Sequence, residues 1–139
     1  MREILFRGKT KKGEWIYGFY MNEGVKDIIV DTTRGSLGFG LEVDGETVGQ
    51  YTGLVDKNGT KIFEGDIVKF TDTTFWYSQI GGVCFDKGSF CILYELYGQK
   101  QLHRIGKTDK WQDMGASGTT TYSYKVIGNI YDNPELLEE

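Results

Sequence analysis

The segment VGQYTGLVDKNGTKIFEGDIV, residues Val48–Val68, decides the fold class of this chain because it contains a hairpin turn between two apolar stretches. Asn58-Gly59 is the strongest short signal for a β-hairpin, since both residues of such a turn adopt positive φ angles. A two-residue turn fixes the pairing of the flanking strands, here acid with base and apolar with apolar, which stabilises the hairpin. The predicted pairs are Lys57 with Thr60, Asp56 with Lys61, Val55 with Ile62 and Leu54 with Phe63.

Composition extends this β assignment to the whole chain. The 139 residues include 20 glycines, 9 tyrosines, 8 phenylalanines and a single proline, a mixture typical of turns and strand surfaces. A chain of this length is most simply one domain with one modest core. We therefore predict a mainly β fold, a single antiparallel domain with an SH3-like, partly open barrel and a short C-terminal helix. Its expected parts are an N-terminal lobe over 1–47, a barrel over 48–131 centred on Val48–Phe90, and a helical turn over 133–138.

Further turn signals divide the rest of the chain into short strands. These signals are Lys12-Gly13, Asp44-Gly45 within a hairpin over Leu41–Val48, and Lys87-Gly88 within a hairpin over Gly82–Tyr97. The other expected strands are Glu3–Phe6, Glu14–Met21, Lys26–Asp31 and Tyr122–Tyr131. Apolar residues that alternate within the strands predict the core. The predicted core residues are Ile4, Trp15, Tyr17, Val48, Tyr51, Leu54, Ile62, Val68, Phe70, Val83, Phe85, Ile92, Val126 and Ile130.

The hairpin over Gly82–Tyr97 places the two cysteines of the chain opposite each other. A two-residue turn at its centre sets Phe85 against Phe90 and Cys84 against Cys91. Opposed strand residues lie within disulfide reach, but cysteines of a cytosolic protein are usually reduced. We expect two reduced thiols, with a disulfide left open as the alternative.

The C-terminus carries the one helix signal. Asn133 suits the N-cap position, Pro134 suits the first helical position, and Glu135 favours the positive end of a helix. These three residues predict a short helix.

Residues that carry catalysis are scarce. A mechanism that needs histidine must use His103, which lies in a polar segment with no nucleophile nearby. Gly35–Gly40 lacks the helix and the Lys-Ser/Thr pair that complete a phosphate-binding loop, and Gly115–Gly118 lacks the glycine spacing of a nucleophile elbow. One histidine and two cysteines are too few for a structural zinc site. We expect no catalytic residue, no metal and no cofactor, and therefore no enzyme.

Charge and hydropathy predict the compartment. The net charge of −4 disfavours nonspecific nucleic-acid binding. No apolar run approaches the ~20 residues of a membrane span, and the start MREILFRGK has no apolar signal segment. We expect a cytoplasmic protein without membrane contact. The basic residues among the first twelve positions are typical of a solvated strand edge, with an anion contact as the alternative.

Two segments without core periodicity are the expected binding loops, Thr71–Gly82 and Gly106–Thr121. Loops on a rigid β scaffold often carry binding residues, and exposed aromatics are effective anchors. The alternative is that the tryptophans of these loops plug the ends of the barrel. The candidate binding residues are Trp76, Tyr77, Arg104, Lys110 and Trp111.

Three motifs resemble the YopX family of phage and prophage proteins. They are the opening REILFRGKTKKGEWIYGFY, the central VGQYTGLVDKNGTKIFEGDIVKF and the closing VIGNIYDNPELL. Val25–Glu46 and Thr71–Thr121 show no family pattern. The resemblance implies a small β-rich protein encoded on a temperate-phage genome and acting in the bacterial cytoplasm. It brings no catalytic residues and no established activity.

Two classes of function are open, and a third, an uncharacterised enzyme, is disfavoured by the missing acid/base and metal-binding residues. The first is a non-enzymatic interaction or assembly module, expected to be a homo-oligomer, because small β domains with open edges often complete their surface with another copy. The second is a binder of a small ligand, such as a nucleotide signal of host defence, in which aromatic rings and cations would hold the ligand. A host protein and a small anionic ligand are accordingly the candidate partners.

Overall fold

The computed structural model describes residues 3–31, 39–106 and 109–138, which form twelve β-strands and one short helix. The strands are β1 (Phe6–Lys9), β2 (Trp15–Glu23), β3 (Lys26–Asp31), β4 (Phe39–Val55), β5 (Lys61–Phe63), β6 (Asp66–Asp72), β7 (Ser78–Asp86), β8 (Ser89–Leu96), β9 (Gln99–Arg104), β10 (Asp109–Asp113), β11 (Ala116–Thr120) and β12 (Tyr122–Asn129). A 3₁₀ helix covers Pro134–Leu137. The mainly β, antiparallel fold with a short C-terminal helical turn is therefore confirmed.

The chain divides into two compact units. The first unit contains Met1–Leu54 and Lys61–Phe63, and the second contains Val55–Thr60 and Glu64–Glu139. In the first unit, β1 to β5 form a sheet in chain order, and the additional pairing of β1 with β4 makes this sheet partly ring-like. In the second unit, five strands form a sheet in the order β12-β6-β7-β8-β9, and β10 and β11 form a two-stranded ribbon. The segment Val48–Phe90 is thus divided between the two sheets.

The first unit packs around a small apolar core that also holds a buried arginine. Its buried apolar residues are Ile16, Ile29, Val43, Tyr51, Ile62 and Phe63. The guanidinium carbon of Arg7 lies 4.7 Å from the centre of the Trp15 ring and 4.9 Å from that of Phe63. Cation–π attraction of this kind offsets part of the cost of burying the charge.

Strand β4 is continuous where a hairpin was predicted, so the turn predicted at Asp44-Gly45 is wrong. At this point β4 leaves β3 and joins β1, with Asp44 paired to Lys9. The hydroxyl of Thr47 stabilises the resulting irregularity: it donates to the Asp44 carbonyl at 2.6 Å and accepts from the Lys9 N–H at 2.8 Å. The absence of a side chain at Gly45 lets the Asp27 carboxylate lie close to the backbone of β4, since a Cβ there would lie 2.1 Å from Oδ2 of Asp27.

The turn at Asn58-Gly59 forms with three residues rather than two. The N–H of Asp56 donates to the Thr60 carbonyl at 2.8 Å, and among residues 57–59 only Gly59 has a positive φ, 83°. This is a type I turn followed by a bulge. The predicted register is therefore wrong by one residue, with Asp56 opposite Thr60 instead of Lys61. The Asp56 carboxylate stabilises the wider turn, because its Oδ1 accepts the N–H groups of Asn58 at 2.8 Å and Thr60 at 2.9 Å.

The β7–β8 hairpin has the predicted two-residue turn. Lys87 and Gly88 have φ angles of 46° and 86°, as such a turn requires. Phe85 pairs with Phe90, and their ring centres lie 5.1 Å apart.

The next pair of this hairpin is formed by Cys84 and Cys91, as predicted. Both are free thiols. Burial raises the pKa of the Cys84 thiol, and Cys91, Asp86 and Glu64 raise it further. Cys84 is therefore mostly protonated and a poor nucleophile at neutral pH.

The predicted core is partly confirmed. Tyr51, Ile62, Val68, Phe70, Val83 and Ile92 are buried, and Trp15, Val48, Val126 and Ile130 are partly buried. Ile4, Tyr17, Leu54 and Phe85 are exposed, and these predictions are wrong. The prediction placed the wrong face of β2 in the core: Ile16 is buried there, and Tyr17 is exposed. The other three lie at or beyond strand ends, and β1 begins at Phe6 rather than at Glu3.

Both predicted loops contain strand. Gly106–Thr121 holds the ribbon of β10 and β11, which turns at Met114-Gly115 with φ angles of 45° and 87°, so its assignment as a loop is wrong. The ribbon escaped the sequence pattern because its strands have no apolar alternation to detect. In Thr71–Gly82, only residues 73–77 lie outside β6 and β7.

The C-terminal helix is held to β12 by Asn133. Asn133 occupies the N-cap position, but its side chain makes no cap hydrogen bond to the helix. Its Oδ1 instead accepts the N–H of Asn129 at 3.2 Å, and its own N–H donates to the Asn129 carbonyl at 2.8 Å.

Candidate functional site

The loop between β6 and β7 carries two of the predicted site residues and is built on Asp72. Oδ1 of Asp72 accepts the N–H groups of Thr74 at 2.8 Å and Phe75 at 2.9 Å. The N–H of Trp76 donates to the Asp72 carbonyl at 2.8 Å, and the N–H of Asp72 donates to the Tyr77 carbonyl at 2.9 Å. Asp72 is itself buried. Four hydrogen bonds to one residue therefore fix the backbone of this loop.

A second contact ties the start of the loop to the start of β12. The N–H of Thr73 donates to the Thr121 carbonyl at 3.0 Å, and the Thr73 hydroxyl donates to the same carbonyl at 2.8 Å. The hydroxyl oxygens of the two threonines lie 2.7 Å apart. The loop is anchored through both its backbone and its first side chain.

The side chains that this loop presents are large and exposed. Phe75 is 60% exposed, Trp76 77% and Tyr77 53%. Trp76 also adopts a φ of 57°, which is uncommon for a bulky residue. A side chain so exposed does not fill a core, so packing does not explain Trp76. We call Thr73–Tyr77 the aromatic loop.

Arg104, a third predicted site residue, is engaged within the second unit. Its guanidinium forms an ion pair with Asp86 at 3.6 Å, a hydrogen bond to the Ser89 hydroxyl, and a contact with Sγ of Cys91 at 3.1 Å. These contacts join β9 to the β7–β8 hairpin. Arg104 therefore has a structural role that the sequence did not indicate.

The remaining predicted site residues lie on the ribbon. Lys110 is exposed and borders a depression of about 470 Å³. The other residues that line it are Gln112, Ser117, Gly118 and Thr119. The backbone of Trp111 pairs with Gly118, and the Trp111 side chain lies outside what the structure describes.

The single histidine is part of a packed aromatic cluster. His103 is buried, and its ring stacks on Phe70 with 4.4 Å between ring centres. Its Nε2 lies 2.7 Å from the Tyr124 hydroxyl, which accepts the N–H of Gly106 at 2.9 Å. Tyr122 covers another side of the imidazole, 4.4 Å away between centres. This packing gives His103 a place in the core of the second unit rather than in an open site.

Sequence reasoning missed two features. The first is Asp72, although an aspartate followed by two threonines is a recognisable turn-forming pattern. The second is a row of lysines, Lys57, Lys69 and Lys125, which could not be found because it depends on the pairing of β6 with β12.

Residues 3–31, 39–106 and 109–138 contain neither a cluster of metal ligands nor a helix that could span a membrane. In this part of the chain, no three His, Cys, Asp or Glu residues are grouped so that they could hold a metal ion. Nor does any helix there have the length and apolar character needed to cross a membrane.

The described residues form two five-stranded antiparallel sheets and a two-stranded ribbon, so this is a small, mainly β protein that presents an exposed aromatic loop. The chain belongs to the YopX family: the family described as YopX protein matches residues 3–138, which is nearly the whole length. No curated protein matches the chain.

Proposed function

We propose that this protein is a non-enzymatic interaction module, that the aromatic loop is its contact element, and that it self-associates into a symmetric homo-oligomer. The observation that carries the proposal is the exposure of Phe75, Trp76 and Tyr77 on a loop held by Asp72. Together with the family membership, it supports an accessory protein encoded by a phage and acting in the host cytoplasm.

The energetics of binding favour such a loop. Aromatic residues, tryptophan and tyrosine above all, dominate the binding energy of protein interfaces. A loop already fixed by hydrogen bonds loses little conformational freedom when it binds, so more of the contact energy appears as affinity. Exposed aromatic side chains at consecutive positions also leave apolar surface in contact with water. A partner protein would cover this surface.

Self-association is the form of binding that the chain can carry out alone. β9 is the last strand in its sheet, and an edge strand offers unpaired backbone groups to a further strand. Closed symmetric oligomers, dimers above all, are the commonest assemblies of soluble chains. A symmetric contact would use the aromatic loop of each copy.

The role of loop rigidity is tested by two substitutions at one position. Asp72→Ala removes the Oδ1 acceptor of Thr74 and Phe75, so the loop must be ordered on association. We expect the dissociation constant of the oligomer to rise about tenfold, which corresponds to about 1.4 kcal/mol. Asp72→Asn keeps an oxygen at the same position and should stay close to wild type.

Sedimentation velocity over a range of protein concentrations measures the dissociation constant of the oligomer for wild type and for each Asp72 variant. A wild-type protein that remains a monomer at tens of micromolar would contradict self-association. Equal association by the alanine and asparagine variants would contradict the role of loop rigidity.

A further inference from the structure

A row of three lysines crosses the edge of the second unit's sheet. Lys69 of β6 and Lys125 of β12 are direct partners in the strand register. Lys57 is held beside them, because its N–H donates to the Tyr124 carbonyl at 3.0 Å. All three side chains are exposed. All three lysines line one cavity of about 270 Å³.

The charges of this row are only partly compensated, because the Lys57 ammonium interacts electrostatically with the carboxylate of the neighbouring Asp56. In the described residues, none of the three ammonium groups forms a hydrogen bond or an ion pair. Like charges directly opposite each other on neighbouring strands destabilise a sheet, and Lys69 and Lys125 are such a pair. The chain as a whole carries a net charge of −4. An arrangement that costs stability in an acidic protein indicates a use for the positive field.

Two hydroxyl-bearing residues, Thr71 and Ser123, and the apolar Ile127 complete the lining of the cavity. Thr71 and Ser123 are also direct partners, two residues from Lys69 and Lys125 on the same strands. Alternation therefore places these four side chains on one face, while Val68 and Phe70 point into the core. Hydroxyl and ammonium donors around one space are suited to the oxygens of a phosphate group.

We propose that this cavity binds the phosphate groups of a small phosphorylated ligand of the diphosphate class. Three cations can neutralise a diphosphate, whereas one carboxylate would leave two of them without a counter-charge. The volume is just below the usual range of small-molecule sites, so it suits the phosphate end of a ligand better than a whole nucleotide. The net negative charge disfavours a long nucleic-acid backbone. This inference does not rest on the role of the aromatic loop.

Inorganic pyrophosphate is the probe for this site. We expect calorimetric titration at low ionic strength to show binding, and each of Lys69→Gln and Lys125→Gln to weaken it about tenfold. Lys100→Gln is the matched control, since it removes the same charge from exposed β9 and should leave the affinity unchanged. Melting curves will show whether the variants fold. The Lys69 and Lys125 variants should be at least as stable as wild type, because a repulsive pair is relieved.

Three results would overturn the proposal that this cavity binds phosphate groups. Absence of pyrophosphate binding at millimolar concentration would overturn it, and so would an equal loss of affinity in Lys100→Gln. Binding of a single-stranded oligonucleotide, lost in the same lysine variants while pyrophosphate does not bind, would reassign the row to a nucleic-acid backbone.

Discussion

Asp56→Ala should lower the free energy of unfolding by about 3 kcal/mol. Oδ1 of Asp56 accepts the N–H groups of Asn58 and Thr60, and Oδ2 accepts the N–H of Val126 at 2.9 Å. The carboxylate thus fixes the turn and joins it to β12. Alanine would leave three backbone donors without this acceptor at a buried position.

The same carboxylate makes stability depend on pH. Burial alone would raise the pKa of Asp56, but the N–H groups of Val126, Thr60 and Asn58 and the charge of Lys57 outweigh burial and lower it. Because the folded pKa lies below the unfolded value, the ionised group stabilises the fold above the unfolded pKa of about 3.9. This stabilisation is lost as the pH falls through the folded pKa.

Urea denaturation of wild type, Asp56→Ala and Asp56→Asn checks both statements. Asparagine keeps one oxygen acceptor and should lose less stability than alanine at pH ~7. The difference between wild type and Asp56→Asn should shrink as the pH falls below about 4. If the stability difference between wild type and Asp56→Asn is the same at pH ~7 and below pH ~4, the ionised carboxylate does not have this role.

Gly81→Ala should be as damaging, at about 3 kcal/mol, although exchanging glycine for alanine usually stabilises a strand. A Cβ at Gly81 would lie 2.3 Å from the Leu93 carbonyl oxygen and 2.7 Å from Cγ2 of Ile92. The first of these atoms belongs to the backbone, so β7 and β8 would have to move apart. The glycine serves the close approach of two strands.

The neighbouring glycine is the control. A Cβ at Gly82 would meet Cγ2 of Ile130 at 3.5 Å, an ordinary contact. Gly82→Ala should therefore be neutral or slightly stabilising, by up to about 1 kcal/mol. The measurement is the chemical denaturation midpoint of each variant, which should fall clearly for Gly81→Ala and not for Gly82→Ala. Equal midpoints would show that β7 and β8 can separate at Gly81 without cost.

Turn dipeptides predicted the fold well where backbone chemistry alone decides. Lys87-Gly88 gave the correct turn and the correct pairing of the strands around it. Asn58-Gly59 gave a turn at the right place with the wrong register, because the side chain of Asp56 favours a three-residue turn. The dipeptide alone does not reveal this contact, because the side chain that makes it belongs to the residue two positions before Asn58.

The candidate site was only partly predictable for a similar reason. The exposed aromatics at Trp76 and Tyr77 follow from composition, since the segment has no core periodicity. The hydrogen bonds of Asp72 and the engagement of Arg104 depend on the folded backbone. The lysine row needs the pairing of β6 with β12, which lie far apart in the chain.

Trp76→Asn, compared with Tyr97→Asn, tests the central claim most directly. Both aromatic residues are exposed, 77% and 95%, and both have positive φ angles, 57° and 52°. Asparagine tolerates this backbone conformation, so neither change should alter the free energy of unfolding by more than about 0.5 kcal/mol. Only Trp76 lies on the aromatic loop.

The measurement is the solution mass of the three proteins by sedimentation at equal concentration, with melting curves alongside. We predict an oligomer for wild type and Tyr97→Asn and a monomer for Trp76→Asn, all with similar melting temperatures. An unchanged oligomer in Trp76→Asn, or a large fall in its melting temperature, would contradict the proposal that the aromatic loop is a contact element.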